Sequence, residues 1–66
     1  MQWTVNQQYI VSVEASLILL GCEGRLTYAE MRVVSNCWSD TIPSVQCAGK
    51  LQASRLLKRR GTFQTA

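Results

Sequence analysis

The sequence predicts an α+β fold: a small N-terminal antiparallel β-sheet, then an amphipathic helix over about 28–38, then a basic C-terminal helix, with a β-hairpin before the last in one of two readings. Three observations lead there. Trp3, Val5, Tyr9, Val11 and Val13 are aromatic or β-branched and mostly alternate, as in strands with one buried face. Thr27-Tyr28-Ala29-Glu30 is a capping-box pattern that opens a stretch of helical periodicity. The last third of the chain is rich in cations and has no acid after Asp40.

Taken in order, residues 2–5 and 9–13 read as the two strands of a hairpin, with Asn6-Gln7-Gln8 as the reversal. Leu17 to Leu20 is continuously apolar and fits either a further strand or a buried helical turn. Gly21 and Gly24 then favour a turn. Behind the capping box, Met31, Val34 and Trp38 recur at i, i+3, i+7, with Val33 and Cys37 at i, i+4 beside them. Ser39 to Pro43 ends that helix. Residues 44–60 fit two patterns. One is a continuous helix starting near Pro43, a residue suited to a first turn. The other is a hairpin, Val45 and Cys47 turning through Ala48-Gly49 into Leu51 and Ala53, followed by a short basic helix from Ser54 to Arg60 that Gly61 stops. The expected organisation is a single domain over 1–61 and a C-terminal tail over 62–66.

A chain of 66 residues has room for one core, and so small a core leaves a thin stability margin. Self-association as a homodimer is the expected supplement. Cys22, Cys37 and Cys47 are widely spaced and the chain has no histidine, whereas a zinc site wants four ligands, usually in close pairs. They are expected to be reduced, with no metal or cofactor, and to fill small apolar positions. Leu17-Ile-Leu-Leu-Gly-Cys22 has the outline of a lipoprotein cleavage box. The residues before it carry Glu14 and no Lys or Arg, so the basic n-region is missing. No apolar stretch reaches the roughly 18 residues of a membrane span. The expectation is a soluble, cytoplasmic protein with no membrane partner.

Catalysis finds little support. Without histidine the commonest acid–base residue is absent, the carboxylates are scattered, and only Cys47 lies near cations that would activate a thiol. A non-enzymatic role is expected. Charge is more informative. Residues 1–40 set Arg25 and Arg32 against Glu14, Glu23, Glu30 and Asp40, while residues 41–66 hold Lys50, Arg55, Lys58, Arg59 and Arg60 with no acid. On a helix Arg55, Lys58 and Arg59 fall three or four apart, a spacing that bridges phosphates along a groove. The five cations are the candidate nucleic-acid-binding residues, although cations also suit a helix C-terminus against the macrodipole. Trp3, Tyr9, Tyr28 and Trp38 read as core aromatics; Phe63 sits just past the basic run.

The N-terminal part resembles the winged-helix DNA-binding domains of OmpR/ToxR-like transcriptional regulators. The resemblance spans about residues 3–38. Trp3 to Asn6 and Tyr9 to Leu20 match the family's small sheet, Leu26-Thr27-Tyr28-Ala29-Glu30 its L-T-x-x-E helix start, and Val33-Val34-Ser35 with Cys37-Trp38 its V-V-S and helix-end tryptophan. It implies a DNA-reading helix with a basic end, in the position of Leu51 to Arg60. The expected function is therefore a small DNA-binding transcriptional regulator, a dimer in the simplest case. The alternative is a phage- or mobile-element-type inhibitor, anti-defence or anti-CRISPR-like, that binds a single protein partner, for instance by adding a strand to a sheet edge.

Overall fold

The computed structural model describes residues 5–61, the last two by backbone alone. They form three helices, α1 (Gln7–Leu19), α2 (Tyr28–Ser39) and α3 (Ser44–Gly61). No strand occurs among the described residues, which corrects the α+β fold expected from sequence: helix takes the place of the second expected strand, 9–13, and of the two readings of 44–60 the continuous helix starting near Pro43 is the one found, not the hairpin. Residues 2–4 of the expected first strand and the tail over 62–66 lie outside the described residues.

The first correction has a local cause. Asn6, read as part of a turn, is the N-cap of α1: its backbone is extended and its side chain accepts from the Gln8 amide at 2.7 Å. The alternating set Tyr9, Val11, Val13 shares Tyr9 and Val13 with the helical set Tyr9, Val13, Leu17, and the helical set is the one that faces the core. Val13 and Leu17 are fully buried and Tyr9 packs beside them, whereas Val11 is 55% exposed. Strand propensity of β-branched residues amounts to about 1 kcal/mol at most and yields to packing. Over 44–51 the stripe Ser44, Cys47, Ala48, Leu51 likewise turns a single face inward, and the Pro43 carbonyl accepts from the Gln46 and Cys47 amides at 3.0 Å each. The helix expected over about 28–38 is present as α2, its capping box formed reciprocally by Thr27 and Glu30.

α1 and α2 end in the same device. Cys22 N–H donates to Leu17 O and Gly21 N–H to Ile18 O; Ile42 N–H donates to Cys37 O and Thr41 N–H to Trp38 O. These are Schellman closures, which need a left-handed residue after the C-cap. Gly21 (φ 85°) meets that need freely; Thr41 (φ 55°) is β-branched and strained there. Cys22 and Ile42 then fold back onto the core.

Long-range bonds fix the topology. Tyr9 Oη donates to Ile42 O at 2.6 Å, Ser12 Oγ meets Ser44 Oγ at 2.6 Å, and Gln52 Nε2 donates to Leu20 O at 3.2 Å. The near-constant offset means that α1 and α3 lie parallel, with α2 as the return. α1 stops at Leu19, level with Leu51, and α3 runs on to Gly61, roughly 15 Å further at 1.5 Å per residue. The core joins Val5, Val13, Leu17, Val34, Cys37, Cys47, Ala48 and Leu51. At its edge Tyr9 and Trp38 pack ring to ring, centroids 5.1 Å apart.

The two closures supply a matched test. Thr41→Gly relieves a left-handed threonine and is expected to stabilise the protein by roughly 0.5–1 kcal/mol after glycine's larger chain entropy is subtracted. Gly21→Ala, where an added Cβ meets nothing within 4 Å, is expected to destabilise by about 1 kcal/mol through the backbone alone. Thermal melts followed by circular dichroism should show shifts of several degrees in opposite directions.

Candidate nucleic-acid interface

The C-terminal half of α3 begins with an ion pair rather than a free cation. Arg55 Nε donates to Glu30 Oε2 at 2.6 Å and Nη2 to Glu30 Oε1 at 2.9 Å. Two more of its hydrogens turn to main chain, Nη1 donating to Glu23 O at 2.9 Å and Nη2 to Arg25 O at 2.8 Å. One planar guanidinium thus ties α3 to the start of α2 and to the 20–27 segment, a use that suits the rigid fork of arginine. The Glu30 side chain is 9% exposed and that of Arg55 25%. The Arg55 hydrogen bonds, helped by the Thr27 amide and opposed by burial, hold the Glu30 carboxyl at about 2, down from its ordinary 4.5. The same pair raises Arg55.

Arg55 was one of five cations expected to meet nucleic acid; its donors face inward. Lys50, Lys58 and Arg59 are exposed. Arg60 lies in the last turn of α3, and its side chain is outside the described residues. Cys47, Leu51, Arg55 and Lys58 follow one stripe of the helix, so Lys58 continues the core-facing side past the point where the core ends. Lys58 and Arg59 consequently line a concavity of about 740 Å³ between α3 and the 20–27 segment, together with the apolar Leu20, Leu26 and Leu56 and the charged Glu23, Arg25 and Glu30–Arg55 pair. Gly24 allows that segment to lie close on α1: a Cβ there would stand 3.0 Å from Ile18 Cδ1 and 3.2 Å from Glu14 O. Arg25 was not singled out from sequence, because its value comes from a neighbour on α3 thirty-odd positions away.

Cys47, the mild nucleophile candidate, is fully buried, and burial with the adjacent Cys37 thiol pushes it up to about 12. That is opposite to the activation a nucleophile needs. Cys37 is buried too and Cys22 half-buried; all three are free thiols. Among the described residues no group of three metal-ligating side chains occurs, and no helix is long and apolar enough to cross a membrane. Tyr28 is 62% exposed at the start of α2; Trp3 and Phe63 lie outside the described residues. No family model, curated protein or solved structure matches the chain.

Removing one partner of a nearly buried pair strands the other charge, which costs about 3–5 kcal/mol. Arg55→Met is therefore expected to lower the urea midpoint strongly. Glu30→Gln/Arg55→Met, which keeps a side chain able to close the capping box, should recover much of the loss. The pH dependence follows from the depressed carboxyl. Its contribution is complete above the unfolded carboxylate range near 4.3 and is lost as pH falls towards about 2. In Arg55→Met the unpaired, desolvated carboxylate is relieved by protonation, so this contribution should change sign. Urea melts of both proteins between about pH 6 and 2 measure the difference; parallel profiles would rule out this role for the pair.

Proposed function

We propose that this chain is a small DNA-binding regulator that contacts backbone phosphates with the C-terminal turns of α3. The observation that carries the reading is the charge of that helix: Lys50, Arg55, Lys58, Arg59 and Arg60 with no acid from Ser44 to Gly61, its basic end projecting beyond α1. A helix C-terminus presents about half a negative charge, and Lys58, Arg59 and Arg60 outweigh it. With Arg55 holding Glu30, the contacting set is Lys58, Arg59 and Arg60, with Lys50 two turns back at the margin.

Phosphate contacts of this kind give affinity rather than sequence choice. Base reading would fall to exposed polar side chains near that end of the helix, of which Ser54 is one. A second reading, a protein-binding inhibitor, is favoured by the exposed Ile18 (61%), Leu19 (87%) and Leu57 (69%), large apolar side chains at the same end of the molecule. Docking would then use these side chains, as no strand is available among the described residues for edge addition.

Fluorescence anisotropy with a labelled duplex across a salt series, in excess non-specific competitor, separates the two. Each phosphate contact contributes a slope of about −0.9 in log K against log salt. Lys58→Ala/Arg59→Ala is expected to flatten the slope by roughly 1.8 and to weaken binding for every duplex tested. An unchanged slope would sink the DNA reading, and binding abolished by competitor would put the protein-binding reading first.

A further inference from the structure

We infer that the DNA backbone lies in the groove between the 20–27 segment and α3, so that Arg25 is a further phosphate contact and Glu23 a repulsive neighbour that limits affinity. This rests on the reading just proposed and adds the surface and the orientation. A basic helix end offers several sides. Phosphates approaching the outer side of α3 would meet Lys50 and the residues following its stripe; phosphates in the groove would meet Lys58, Arg59 and Arg25 together.

Two observations select the groove. Lys58 falls on the same stripe as Cys47, Leu51 and Arg55, and it lines the concavity together with Arg59, so both border the side where the 20–27 segment lies. Arg25 is a cation of that wall contributed by a different element, and its own carbonyl is held by Arg55 Nη2 at 2.8 Å, which fixes the main chain from which it reaches. Charged side chains around the groove are Arg25, Arg55, Lys58 and Arg59 against Glu23 and Glu30. Because Arg55 and Glu30 neutralise one another, the other formal charges around the groove are those of Arg25, Lys58 and Arg59 and of Glu23, a net of +2. Coulomb attraction in a concave, partly apolar site is screened less than on an open surface. Leu20, Leu26 and Leu56 would border sugar carbons, which carry no charge to desolvate.

The test uses the full chain, a labelled duplex and the same salt series, with Lys58→Gln as reference. Arg25→Gln and Glu23→Gln alter exposed side chains and leave intact the carbonyls that Arg55 binds, and thermal melts confirm that each variant folds. Arg25→Gln is expected to weaken binding and reduce the salt slope by about 0.9, as Lys58→Gln does. Glu23→Gln is expected to tighten binding severalfold at low salt, with the gain fading as salt rises. If Lys58→Gln flattens the slope while Arg25→Gln and Glu23→Gln are silent, DNA lies on another side of α3, and the groove assignment is overturned with the DNA reading intact. If all three variants keep the parental slope, both fall together.

Discussion

The contact on which the arrangement of this protein depends is the Arg55 guanidinium closing on Glu30. The apolar core is small: of its eight members only Leu17 and Leu51 are large, and the others are Val, Cys and Ala. Such a core aligns three helices and takes in Cys22 and Leu26 of the irregular chain between α1 and α2. Arg55 adds a polar tie. By bonding Glu30 and the carbonyls of Glu23 and Arg25 it joins the middle of that connection and the start of α2 to α3. Desolvating two charges is unfavourable, and such a pair is tolerable when its geometry is good and its other hydrogens find partners. Here both carboxylate oxygens and three guanidinium nitrogens are engaged.

That contact also divides the cations of α3 by position. Where the core-facing stripe still has protein opposite it, at Arg55, a cation becomes structural. One turn later, at Lys58, the core has ended and the exposed side chain borders the groove, where solvent or a polyanion can meet it. The residue types follow the division. A fixed planar fork serves at the site with four directed bonds, and a flexible ammonium at the site where a partner would come and go. Charge counted along a sequence cannot separate these roles; register against the core can.

How much was legible follows from the range of each signal. The capping box of α2 was readable because its partners are three residues apart, and the helix behind it carried a clean amphipathic period. α1 was misread because Tyr9 and Val13 belong to a period of two and to a period of 3.6 at once, and the residue that decides, Asn6, suits turns and N-caps alike. Residues 44–53 allowed helix or hairpin for a related reason: Cys47, Leu51 and Ala48 are small or common enough for either, and the choice is made by α1 lying along them. The Glu30–Arg55 pair left no trace in sequence. Its partners are 25 residues apart, and the local role of Glu30 as a cap already accounted for that side chain.

The double duty of Glu30 links fold and surface. A carboxylate at that position without Arg55 would place a negative charge on the wall of the concavity that Lys58, Arg59 and Arg25 line, and would cancel much of the attraction those side chains offer a phosphate. Pairing it with a cation that is not available for binding keeps the wall neutral. Apparent loss of one binding arginine to the interior therefore sustains the field of the remaining cations. A polyanion seated there would favour the folded chain by mass action, because the main chain from which Arg25 reaches is held in part by the Arg55 bonds to the carbonyls of Glu23 and Arg25. In a domain with so thin a core, the surface charge and the stability of the connection that carries it are not separable quantities.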